Sequence, residues 1–215
     1  PVAKTTGFTI SAKLLNNPTL TLDVSSFTYD GTEKKPTVVA VKDGDTPLTE
    51  NSDYTIMWPA DCTSVGTKTI TVTFKGNYSG SAETSYSISY LAAPTSPYTI
   101  NGAILNDGKY YAQGTETLTA PSGYEISKNG AGFSAKVSFD AGSGKPANVY
   151  LKRVADGAIT DAIAVSEVFV YDDIAPTITG VAEGQTYYGA TTFEILDSQL
   201  ASGTVDGKKV ELTNG

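Results

Sequence analysis

Residues 67–74 read Thr-Lys-Thr-Ile-Thr-Val-Thr-Phe, with Ile70, Val72 and Phe74 on one side of the run and Thr69, Thr71 and Thr73 on the other. Successive side chains of an extended chain point to opposite faces, so strict alternation of this kind predicts a strand buried on one side and wet on the other. Thr37–Val41, Tyr54–Trp58 and Thr84–Ser89 read as further strands. Turn chemistry separates them at Asp43-Gly44, between Asp61 and Gly66, and at Gly76-Asn77. No stretch of helical length keeps a 3.6-residue apolar period free of Gly and Thr. The expectation is therefore an all-β chain.

Composition narrows what such a chain can do. Only 18% of residues are charged, and no apolar run is long enough to span a bilayer as a helix, so no membrane insertion is expected. The net charge of -8, with Lys and Arg scattered, repels polyanions and argues against nucleic acid as a partner. Cys62 is the single cysteine, so no intrachain disulfide can form; the absence of a disulfide framework does not exclude an extracellular setting. The chain opens at Pro1 with no basic and apolar leader, which reads as an internal excerpt or a processed chain, expected to be monomeric within a longer one.

A length of 215 residues suits two sandwich domains of about 80 to 100 residues each plus a remainder. Ala92-Ala93-Pro94-Thr95-Ser96-Pro97 breaks the alternation and reads as a short linker. Residues 1–17 are expected to be the last strand of a preceding repeat or the first strand of the first domain, since Gly7–Ser11 matches Ser85–Ser89. Residues 18–92 form the first domain and 93–173 the second. In the second, Tyr98–Ile100, Gly123–Ser127, Val149–Lys152 and Phe169–Tyr171 are strands, and Ala155–Asp161 is the turn before the closing strand. Residues 174–215 read as the opening of a third repeat, with a strand through Phe193–Ile195 and a hairpin at Val205–Val210. About 40 residues are marginal for an independent β domain.

Four short motifs in the first domain carry a family resemblance: Phe27-Thr28-Tyr29-Asp30-Gly31, Asp53-Tyr54-Thr55-Ile56, Val65-Gly66-Thr67 and Gly76-Asn77-Tyr78-Ser79-Gly80. Their succession resembles the MBG-like, or bacterial immunoglobulin-like, domains strung in tandem along surface proteins of Gram-positive bacteria, especially gut Firmicutes. The Asp173-Ile174-Ala175-Pro176-Thr177 junction is similar to those between such repeats. The resemblance implies tandem Ig-like antiparallel β-sandwich domains joined by short Pro-containing linkers. It further implies an extracellular, non-catalytic location on the bacterial surface or in secretion, and no catalytic residues to carry over.

The residue inventory agrees with a chain that is not an enzyme. Without histidine there is no imidazole triad and no His-ligated zinc, and Cys62 lacks its usual base. The acid pairs Asp43 with Asp45 and Asp172 with Asp173 sit where turns need them rather than across a cleft. No cofactor is expected. A calcium site built from Asp156, Asp161, Asp172 and Asp173 is one reading, an acidic linker without metal the other, since no regular ligand spacing is present. Trp58, Tyr110, Tyr111, Tyr187 and Tyr188 are candidate stacking platforms for host or cell-wall glycans, or contacts for surface proteins; the opposing account is ordinary strand and core packing. Lys13, Lys75, Asn77 and Asn101 lie near strand ends, but no Lys–Asn cross-link is expected from their surroundings. The leading functional expectation is a spacer or stalk that presents other modules away from the cell; the alternative is an adhesin or carbohydrate-binding module.

Overall fold

The computed structural model describes residues 10–174, 177–189, 191–196, 203–205 and 208–210, with Leu196 and the residues after it described by backbone alone. Gly7 to Thr9 of the expected N-terminal strand and the Ala175-Pro176 step of the junction lie outside the described residues. Among the described residues every regular element is a strand. The chain divides into two compact units, Pro1–Ala92 with Ala155–Asp161, and Ala93–Val154 with Ala162–Gly215.

Unit 1 contains β1 (Lys13–Leu14), β2 (Thr19–Leu22), β3 (Ser26–Thr28), β4 (Val38–Asp43), β5 (Thr46–Pro47), β6 (Tyr54–Met57), β7 (Gly66–Phe74), β8 (Tyr78–Ser79) and β9 (Ser81–Ser89). A four-stranded sheet runs in the order β3-β9-β7-β6 and a three-stranded one in the order β2-β4-β5, while β1 pairs with β8. The alternation at 67–74 is realised in β7, whose Ile70 and Val72 are completely buried. Burial of a side chain of that size contributes about 1.5–3 kcal/mol. One cluster joins Val41 of β4 to Tyr54, Val72 and Phe74 of the other sheet, and a second joins Ile70, Tyr86 and Ile88. The β3–β9 pair is parallel, with Phe27 opposite Ile88. Segment 155–161, read from sequence as a turn of the second domain, belongs to unit 1: the Ile159 amide donates to the Tyr29 carbonyl and the Leu91 amide to the Ile159 carbonyl, each at 2.8 Å.

Unit 2 contains β10 (Thr99–Asn101), β11 (Ile104–Asn106), β12 (Lys109–Ala112), β13 (Thr115–Thr119), β14 (Tyr124–Ser127), β15 (Lys136–Asp140), β16 (Asn148–Arg153), β17 (Ile163–Ala164) and β18 (Val168–Tyr171). The remaining strands are β19 (Thr177–Thr179), β20 (Glu194–Leu196), β21 (Gly203–Val205) and β22 (Lys208–Val210). Three-stranded sheets run β10-β13-β15, β11-β12-β18 and β14-β16-β17. Leu118, Ile126, Val137, Phe139, Val149, Leu151 and Val165 form one core fed by several of these strands. Phe169 meets Phe139 edge-on at 4.8 Å and stacks on Tyr110 at 5.4 Å, tying β18 to β15 and β12. Ahead of β18 the Lys145 ammonium donates to the Val165 and Glu167 carbonyls, and the Tyr98 hydroxyl donates to the Glu167 carboxylate at 2.7 Å. As in unit 1, an earlier strand, β12, runs parallel to a later one, β18. β19 pairs with β20, and β21 with β22 as the expected hairpin.

Candidate functional site

The aromatic candidates do not gather into one platform within either unit. Trp58, just past the end of β6, is half-buried against the Ile70–Tyr86–Ile88 cluster, with the Lys35 ammonium 6.0 Å from its ring centroid. Tyr110 is occupied by its stack on Phe169, and Tyr111 is half-buried between Ile104 and Val170 in the register of its sheet. The Tyr187 hydroxyl accepts the Ala182 amide at 2.7 Å. Tyr188, 95% exposed, stands clear of the protein and has the freedom a stacking residue needs.

The four aspartates divide between the units, Asp156 and Asp161 in unit 1 and Asp172 and Asp173 in unit 2. Asp156 and Asp172 each accept a backbone amide two residues on, from Ala158 at 3.2 Å and Ile174 at 3.0 Å, the turn-forming use of this side chain. Among the described residues no group of three or more His, Cys, Asp or Glu is placed to hold a metal ion. Of the side chains weighed for a cross-link, Lys13 pairs with Asp43 and Asn101 donates to the Thr119 hydroxyl.

Two side chains that the residue reading passed over are chemically more pointed. Lys68 is buried on the core-facing side of β7, in phase with Ile70. Its ammonium donates to the Asp61 carboxylate and to the Ser64 hydroxyl, both at 2.9 Å, and Ser64 donates to Asp61. A serine hydroxyl beside a lysine is the pair a Ser–Lys hydrolase uses, but that chemistry needs a neutral amine as base. Here the Ser64 hydroxyl, the Ser64 amide, Lys68 and the Thr63 amide hold the Asp61 carboxyl well below the usual carboxylate range. The carboxylate accepts from both the serine hydroxyl and the ammonium, so the cluster is an ion-paired clasp on the β6–β7 loop. Beside it, burial first and then the Cys62 thiol push the Tyr86 hydroxyl up, and that hydroxyl donates to the Lys34 carbonyl at 2.7 Å.

No family model, curated protein or solved structure matches this chain.

Glu116 is the second. It lies on β13 in phase with Leu118, is completely buried, and neither carboxyl oxygen has a hydrogen-bond partner. Burial pushes its carboxyl up against the pull of its own backbone amide; the Asp140 charge adds to the rise and the Ala141 amide opposes it. An isolated carboxylate in such a place costs more than its protonated form, so burial favours the protonated carboxyl. Both residues were open to detection in the sequence, because Lys68 and Glu116 each fall on the apolar phase of an alternating run.

Proposed function

We propose that this chain is a stretch of tandem Ig-like β-sandwich beads serving as an extracellular spacer of a bacterial surface protein, with no chemistry of its own. The observation that carries the reading is a parallel pair in each unit between an earlier and a later strand, β3 with β9 and β12 with β18. Tension applied to the chain before the earlier strand and after the later one draws the two parallel strands in opposite directions along their length, so the hydrogen bonds between them are loaded together in shear rather than opened one at a time. A bead closed in this way resists extension, as a stalk requires.

The strand orders add support. The three-stranded sheets β10-β13-β15, β11-β12-β18 and β14-β16-β17, several of whose strands feed one core, support a β-sandwich bead. Small apolar cores and few charges suit a bead whose task is geometric. Single-molecule stretching tests the reading. Each unit is expected to give a discrete unfolding peak, and Val170→Pro, which interrupts the β12–β18 pair, is expected to lower the unit 2 peak selectively. Smooth extension without peaks would remove the spacer reading. The exposed Tyr188 favours a second reading, glycan binding, which a glycan array with Tyr188→Ala and Trp58→Ala alongside decides.

A further inference from the structure

An asparagine followed by glycine is open to attack from its own backbone, because with no Cβ in the way the glycine nitrogen can reach the asparagine side-chain carbon. The described residues hold this step at Asn101-Gly102 and at Asn129-Gly130, in opposite surroundings. Asn101 belongs to β10 and faces Thr117 of β13, a ladder that holds its backbone extended. Its Nδ2, the group that would have to leave, donates to the Thr119 hydroxyl at 3.1 Å. A Cβ on Gly102 would lie 2.8 Å from the Thr115 carbonyl oxygen, so neighbouring backbone closes on that glycine and opposes its rotation.

Asn129 is exposed and lies past the end of β14, in a loop closed by the reciprocal amide-to-carbonyl bonds of Ile126 and Ser134 at 2.7 and 3.1 Å. Gly130 sits in the left-handed region at φ 78°, and a Cβ there would meet nothing nearer than the Tyr150 ring at 3.8 Å. The Ala131 amide donates to Asn129 Oδ1 at 3.1 Å, and the Ser127 hydroxyl, which accepts the Asn129 amide at 3.2 Å, stands 3.0 Å from the same oxygen. That hydroxyl has one proton and also reaches the Ala131 carbonyl, so it can turn toward Oδ1 as charge builds there. We infer that Asn129 is a self-modifying site, at which the Gly130 nitrogen bonds to Asn129 Cγ while the Ala131 amide and the Ser127 hydroxyl stabilise the charge developing on Oδ1. The Gly130 nitrogen gives up its proton to water, the Cγ–Nδ2 bond breaks, and Nδ2 takes up a proton and leaves as ammonia. Water then opens the resulting succinimide. Attack at Cγ gives aspartate, and attack at the main-chain carbonyl gives isoaspartate, whose backbone runs through the side-chain carbons. Either product adds a negative charge next to the buried Ser127. The inference is independent of the spacer reading.

The test is incubation of the full chain at mildly alkaline pH, folded in buffer and unfolded in concentrated urea, with conversion at each asparagine followed by peptide mapping and mass spectrometry. In the folded chain Asn129 is expected to convert at least about tenfold faster than Asn101, with isoaspartate among the products. In urea, where neither site keeps its surroundings, the two rates are expected to converge. Ser127→Ala is expected to slow conversion at Asn129 by about threefold or more in the folded chain and to leave the urea rate unchanged. Equal conversion of the two sites in the folded chain, a preference for Asn129 that survives in urea, or an undiminished rate in Ser127→Ala would each overturn it.

Discussion

Lys68 in unit 1 and Glu116 in unit 2 occupy equivalent positions in their strands, each on the core-facing phase two residues from a fully buried aliphatic, yet their surroundings are opposite. The β6–β7 loop brings Asp61 and Ser64 to the Lys68 ammonium, which is ion-paired there while its stem lies along the core. Nothing comparable reaches Glu116, whose carboxyl burial pushes up instead. An ionisable group on the apolar phase is accommodated by bringing it a partner or by favouring its neutral form, and the two units lean opposite ways.

The strongest way to break the comparison is to give unit 1 the wrong charge. Lys68→Glu places a carboxyl beside Asp61 with no cation, and is expected to cost unit 1 about 3 kcal/mol or more. Because Trp58 is the single tryptophan and lies in unit 1, its fluorescence reports that unit's unfolding; an unchanged midpoint would mean that Lys68 contributes nothing by its charge.

Next in size, Glu116→Leu removes the unpartnered carboxyl and is expected to stabilise unit 2 by about 1–3 kcal/mol in calorimetry near pH 7. The same contrast gives the units opposite responses to pH. The Glu116 carboxyl is raised above its ordinary value of 4.5, so the folded state holds the proton more tightly. Its contribution is complete below about pH 4.5 and is lost as pH rises through the folded value. In unit 1, Asp23, lowered chiefly by the Thr37 amide, and Asp61, lowered chiefly by the Ser64 hydroxyl, sit below their ordinary value of 3.8. Their contribution is present above about pH 3.8 and is lost as pH falls through the folded values. Acidification from neutral is therefore expected to raise the unit 2 transition first, and stronger acid to lower that of unit 1. Glu116→Leu should abolish the first shift and Asp61→Asn reduce the second; parallel movement of both transitions in the wild type would refute the assignment.

The smallest effects sharpen the comparison at two tyrosine hydroxyls. Tyr98 donates to a carboxylate and Tyr86 to a neutral carbonyl, both at 2.7 Å. Tyr98→Phe is expected to cost unit 2 about 2 kcal/mol and Tyr86→Phe to cost unit 1 about 1 kcal/mol, the ranking that hydrogen bonds to charged and neutral acceptors predict. Urea midpoints in the reverse order would show that burial, rather than acceptor charge, sets the value of these bonds.

Much of the strand inventory was open to direct reading, because alternation and turn chemistry are local properties. β4, β6, β7, β9, β14 and β16 fall where periodicity places them, and the β21–β22 hairpin where its turn does. The site was read less well. Attention went to residue types associated with ligands, the aromatics and the aspartates, whereas the informative signal was a charged residue on the wrong phase of a strand.

The sequence by itself determined that this chain is all-β and which faces of its predicted strands are apolar, since a period of two needs no knowledge of neighbours. Only the tertiary structure decided that Lys68 finds Asp61 and Ser64 while Glu116 finds no partner. It also decided that Trp58 is packed, that segment 155–161 belongs with unit 1, and that β13 is covered on both edges. Each of these depends on what backbone distant in sequence brings alongside, and neither the strength of a hydrogen bond nor the cost of lacking one is encoded in the residue that needs it.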